Sequence, residues 1–185
     1  MSCALLVVDV QEALFRPQPR PADADATVAR INALAARARR AGAAVIHIQH
    51  NAGGTELAHG SAGWQLYGGL ERLAGDHAVD KTTADAFLRT GLAALLGQLQ
   101  VSRVVVCGYA TEFCVDTTVR QAAARGYEVV LAADAHTTHD KPHANAAAIR
   151  THHNMTLPAI SSFGPRIAAI PAGQIVFGAA PAQAG

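Results

Sequence analysis

Between Val104 and Thr118 the chain reads VVVCGYATEFCVDTT, which places Cys107 and Cys114 in an apolar run that turns polar halfway along. A structural zinc needs four closed ligands, which one strand and the following helix do not offer at this spacing. A disulfide needs converging β-carbons, and a strand, turn and helix path separates them. Cys107, inside the strand, reads as a buried small hydrophobe. Cys114 would be about the third residue of a helix capped by the Thr111 hydroxyl. There, free amides and the positive end of the helix dipole stabilise a thiolate, and the same amides can hold an oxyanion. On position alone, an inert half-buried thiol fits as well as a nucleophile.

A thiol nucleophile also needs a proton carrier and a charge that lowers its pKa. Asp9 is the charge inside the apolar run ALLVVDV, where burial without a partner is costly. It reads either as that carrier or as an acceptor for backbone amides. Lys81, in HAVDKTTADAF, is less distinctive, because most lysines are solvated.

The elements that must position these residues follow from periodicity. The runs ALLVVDV, AAVIHIQ, RVVVCGY and YEVVLAAD are continuous rather than alternating, as strands covered on both faces are. Val28, Ile31, Leu34 and Ala38 mark a helix behind an Asp23 or Asp25 cap, and Leu92, Leu95, Leu96 and Leu99 a second behind Thr90. A third helix is predicted from Thr111 to a left-handed cap at Gly126, and a fourth from His143 to His153. Strands alternating with helices predict an α/β fold: a three-layer α/β/α sandwich around a central, mostly parallel sheet. Ligands then bind beyond the carboxyl ends of the strands, where strand order reverses.

The segment from His50 to Gly75 carries seven glycines and reads as a functional loop with one short helix. One domain is predicted over residues 1–178, with residues 179–185 as a flexible tail. The 185 residues carry 15 basic and 14 acidic side chains, formal charge +1, which argues against nucleic acid or an anionic membrane and for a small-molecule partner. GxGxxG and Walker A sequences are absent, removing the usual nucleotide readings. Three cysteines without a framework spacing predict a reduced, cytoplasmic setting. The opening MSCALLVVDVQ lacks a basic region and is interrupted by Asp9, so it reads as a strand rather than a leader or a spanning helix.

Taken together, LLVVDVQEALF, DKTTADAF, GYATEFCV and HHNMTL resemble the isochorismatase-like cysteine hydrolases, a family that includes nicotinamidases and N-carbamoylsarcosine amidase. The resemblance implies a triad in which Cys114 attacks a carbonyl, Asp9 moves the thiol proton to the leaving group and Lys81 stabilises negative charge. It implies a thioester intermediate and a cis peptide at Tyr109-Ala110, with the Ala110 and Cys114 amides as oxyanion hole. It also implies a homodimer or larger homo-oligomer. Nicotinamidases of the family bind a metal after the second strand through an aspartate and histidines. Here that place reads HIQHNAGGTELAH, without the aspartate and with His47 inside the strand, so neither a metal nor another cofactor is expected. The pattern QH, Gly63-Trp64 and His152-His153-Asn154 resembles the group that includes streptothricin hydrolase, which opens a lactam.

Substrate specificity is expected from the mouth of the site. Phe15, Trp64 and Tyr109 are the aromatic candidates, and His50, Glu112 and His139 the polar ones. The aromatics could equally anchor loops, Glu112 could complement the helix dipole, and the His152-His153 pair reads as a helix end. The activity expected is cleavage of a C–N bond in a small amide, lactam or ureide. The alternatives are hydrolysis of a vinyl ether, as isochorismatase performs, or an idle small-molecule binder of the same fold.

Overall fold

The computed structural model describes residues 2–178; the tail expected at 179–185 lies outside them. Among the described residues, six strands form one sheet in the order β3-β2-β1-β4-β5-β6, and every neighbouring pair is parallel. The strands are β1 (Ser2–Val8), β2 (Ala44–His50), β3 (His77–Lys81), β4 (Val101–Tyr109), β5 (Glu128–Thr137) and β6 (Ile167–Ile170). Alternate residues of β1 face opposite layers. Cys3, Leu5 and Val7 join a core with Val28, Ile31, Leu34 and Ala38, whereas Ala4, Leu6 and Val8 join one with Leu92, Leu96, Val119 and Ala122. Both faces are dry, which is why the inner strands read as unbroken apolar runs.

The helices are α1 (Glu12–Phe15), α2 (Ala24–Arg40), α3 (Leu92–Gln98), α4 (Asp116–Ala124) and α5 (Ala146–Thr156). α2 lies where its apolar period predicts, but no aspartate side chain caps it. Asp23 is left-handed at φ 52 and receives Arg150 at 3.0 Å, while Asp25 pairs with Arg20. Thr90 accepts the Leu92 amide at 3.3 Å, and Gly126 ends α4 at φ +91, where only glycine is unstrained. The last helix starts later than expected, because Asn145 supplies its cap by accepting the Ala148 amide at 2.8 Å.

Residues 51–76 form no helix; they are pinned by polar side chains instead. Gln11, fully buried, donates to the carbonyls of His50 and Trp64 at 3.0 and 2.8 Å and accepts the His50 amide at 2.8 Å. At the far end, Asp76 accepts from Arg39 at 2.6 Å and lies 3.1 Å from the His47 ring. Burial opposes ionisation of Asp76, but Arg39, the Leu73 amide and His47 together hold its carboxyl down to about 2.

Candidate active site

The chain runs outward from β1 through β2 to β3, then starts again on the other side of β1 with β4. This reversal opens a crevice at the carboxyl ends of the strands. Four adjacent strand ends each deliver one residue to it: Lys81 from β3, His50 from β2, Asp9 just after β1 and Tyr109 from β4. Asp9 takes the left-handed conformation at φ 52, sparsely populated for a residue with a side chain. Gly108 lets β4 run against β1 at this point, since a β-carbon there would meet the Val8 carbonyl oxygen at 2.1 Å.

The Tyr109-Ala110 peptide is cis. After it, the chain enters a π-helical turn, Thr111–Val115, rather than a regular α-helix start. The Ala110 carbonyl accepts the amides of Phe113 and Val115, both at 3.1 Å, and neither bond uses the Cys114 amide between them. The predicted Thr111 cap does not form. The Thr111 hydroxyl instead donates to His136 Nδ1 at 2.9 Å, because His136 gives its Nε2 proton to Asn154 Oδ1 at 3.0 Å and keeps Nδ1 as an acceptor. Asn154 donates in turn to the Ala133 carbonyl at 2.9 Å.

Lys81 and Asp9 are buried, at 1% and 2% exposure, and Cys114 is half-buried. Lys81 Nζ lies 2.7 Å from Asp9 Oδ2, 3.2 Å from Cys114 Sγ, 3.1 Å from His50 Nδ1 and 3.1 Å from the Thr83 carbonyl. Asp9 Oδ1 is buried without a hydrogen-bond partner. Desolvation raises the Asp9 pKa against the pull of Lys81. Desolvation and the Asp9 charge push the Cys114 thiol up to about 12, with Lys81 opposing them. Burial and the Asp9 charge thus oppose the thiolate that the first helical turn by itself would favour.

Asp9, His50 and Cys114 bring ligand-type atoms within 4.8 Å of one another, a set that could surround a cation. The Lys81 ammonium, bonded to all three, is the cation they surround, so a metal ion does not fit beside it.

A cavity of about 120 Å³ opens on the cluster, walled by Leu14, Leu57, Tyr109, Ala110 and Phe113 with Asp9, His50 and Cys114. A wider hollow of about 720 Å³ beside α1 has its Glu12 and Arg16 paired with each other and holds no comparable cluster. Of the expected mouth residues, His50 and Tyr109 line the cavity and the other four do not. Phe15 is fully buried, packing at 5.6 Å from Tyr67 and 5.9 Å from Tyr109 between ring centroids. Trp64 lies against His59 in the loop, 4.4 Å between rings. Glu112 turns away to Thr138 and Lys141, at 2.9 and 3.2 Å, and lines a separate pocket with His143, His152 and His153. His139 stands behind Tyr109, accepting its hydroxyl at 2.9 Å and donating to the Pro19 carbonyl at 3.0 Å. Leu14, Leu57 and Phe113 were not singled out from sequence, since a lone apolar residue on a loop or first turn carries no periodic signal. Cys107 is buried in β4 and unpaired, as its place in the strand predicts.

Residues 3–162 match the family model described as the isochorismatase domain. Streptothricin hydrolase from Streptomyces noursei is 43% identical over 141 residues, 75% of this chain and 51% of that protein. The chain thus spans about half the length of the two streptothricin hydrolases it matches, 51% and 56%. The isochorismatase family protein YddQ of Bacillus subtilis is 33% identical over 73% of this chain and 77% of its own length. A crystal structure of an isochorismatase family protein aligns with TM-score 0.83 and 33% identity over 91% of this chain and 97% of that one. In sequence and in fold, the chain belongs to the isochorismatase family.

Proposed function

We propose that this protein is a cysteine hydrolase, working without a metal, that cleaves the C–N bond of a small amide, lactam or ureide through a thioester. The observation that carries this reading is one buried ammonium bonded to both a carboxylate and a thiol, with the second carboxylate oxygen left open. Asp9 Oδ1 takes the thiol proton as Cys114 Sγ bonds to the carbonyl carbon. The C=O electron pair moves onto oxygen, where the Ala110 and Cys114 amides stabilise it. Asp9 then gives its proton to the leaving nitrogen, the C–N bond breaks and the thioester remains. Water, losing a proton to Asp9, attacks the thioester and expels Cys114, which takes the proton back. Lys81 keeps the site near neutral throughout, because it faces the carboxylate in one state and the thiolate in the next.

The cavity favours amide chemistry over a vinyl ether of an acidic substrate. Its walls are largely apolar, and the Lys81 ammonium at its base is neutralised by Asp9. Its volume of about 120 Å³ suits a small reacting group rather than a whole drug-sized ligand. The likeness to streptothricin hydrolase makes streptothricin the first compound to test. Free cysteines support a reducing compartment as the setting. The reading includes a homo-oligomer formed by this single domain, with light scattering on the purified protein as its check.

A panel of amides, lactams and ureides, followed by intact mass, tests the mechanism. The expected result is turnover with a transient acyl adduct on Cys114, and its loss in a folded C114A variant. Turnover retained by C114A would overturn the nucleophile.

A further inference from the structure

An ammonium has three N–H donors. Lys81 Nζ nevertheless has four acceptors within reach: Asp9 Oδ2 at 2.7 Å, His50 Nδ1 and the Thr83 carbonyl at 3.1 Å, and Cys114 Sγ at 3.2 Å. The carboxylate bond is the shortest and is charge-assisted, so it is held. The remaining protons are contested, and a neutral sulfur is the weakest acceptor of the set.

We propose that His50 is a positioning residue for Lys81: its Nδ1 lone pair holds an ammonium proton away from Cys114 at rest and releases it when charge develops on Sγ. No heavy-atom bond changes in this step. The thiol proton passes to Asp9, and one Lys81 N–H turns from Nδ1 to the thiolate. Protonated Asp9 then holds Lys81 less strongly, which frees the ammonium to follow the charge.

Two further observations support the assignment. The His50 backbone is clamped on both sides by the buried side chain of Gln11, which accepts its amide at 2.8 Å and donates to its carbonyl at 3.0 Å, so the ring is presented from a fixed point. Desolvation and then the Lys81 charge lower the His50 pKa, which keeps the ring neutral and Nδ1 available as an acceptor. The titratable groups that share the cavity wall with His50 are Asp9 after β1, Tyr109 at the end of β4 and Cys114 in the turn that follows; Lys81 bonds its ring from the end of β3.

The inference takes its meaning from the cysteine hydrolase reading, but its test needs no substrate and stands apart from that reading. Iodoacetamide alkylation of Cys114 is followed across pH by peptide mass in the wild type, H50L and H50N. Leucine matches the reach of the ring without an acceptor, whereas asparagine places Oδ1 at the δ position. From about pH 6 to about pH 9, below the thiol pKa, the rate constant is proportional to the thiolate fraction. In H50L it is expected to rise about tenfold at each pH, because Lys81 then bonds Cys114 fully. H50N is expected to keep the wild-type rate. An unchanged rate in H50L, or equal changes in both variants, would overturn the proposal. Where H50L does not fold, H50A supplies the acceptor-free arm, with the smaller probe methyl methanethiosulfonate beside iodoacetamide, since a change of access alters the ratio of the two rates and a change of thiolate fraction does not.

Discussion

Two buried polar clusters flank the turn that carries Cys114, and they are balanced in opposite ways. Around His136, every group named finds one partner: Thr111 gives its proton to Nδ1, Nε2 gives its own to Asn154, and the Asn154 amide reaches the Ala133 carbonyl. Around Lys81, four acceptors compete for three protons, while Asp9 Oδ1 has no partner. A satisfied network holds a shape. An unsatisfied one holds a group ready to accept a proton, at a cost in stability that the surrounding core must offset. One side of the turn is therefore anchored, and the other faces a carboxylate oxygen without a partner.

The largest effect that would break this contrast falls on the unbalanced side. D9N removes the open acceptor while keeping the shape, and kcat on any substrate found is expected to fall about a thousandfold. Steady-state kinetics checks this, with retained circular dichroism showing that the fold survives. An effect below tenfold would remove Asp9 from proton transfer.

The balanced side should answer in stability instead. H136L leaves the Thr111 hydroxyl and the Asn154 carbonyl oxygen buried without partners, a loss of about 2–4 kcal/mol by urea denaturation. The same variant sharpens the pH dependence. Burial holds His136 down to about 4 in the folded chain against 6.5 ordinarily, so the unfolded chain binds a proton first as pH falls. The stability this neutral ring contributes is complete above pH 6.5 and is lost on acidification towards about 4. His47, also lowered by burial, adds a loss of the same sign as pH falls below 6.5. Wild type should lose at most about 1.4 kcal/mol per pH unit from His136 there, and H136L should show a shallower slope.

The smallest effect tests the outer wall. H139F frees the Tyr109 hydroxyl from its acceptor, and KM is expected to rise about fivefold with kcat unchanged. A change in kcat alone would place His139 in the chemistry rather than behind the wall.

The inner strands were legible because both their faces are dry. The edge strands were not, since β3 reads HAVDK and β6 only IAAI, and an edge strand is short and mixed. Residue type and position at or just after a strand end singled out Asp9 and Cys114 as candidates, whereas Lys81 needed the family resemblance, because nothing in DKTT marks a buried lysine. Phe15, Trp64, Glu112 and His139, expected at the mouth, do not line the cavity. Residue type says that a side chain can contact a ligand, but burial and rotamer decide which way it faces.

By itself, then, the sequence determined the layered α/β architecture, the inner strands and the reactive residue types at their carboxyl ends, because periodicity and composition act locally. Only the tertiary structure decided that Lys81 and His50, from neighbouring strands β3 and β2, meet Asp9 and Cys114 at one point. It also decided that burial and the Asp9 charge raise the Cys114 pKa above its ordinary value. Desolvation and proton counting depend on which groups share a few ångströms of space, and no spacing along the chain encodes that.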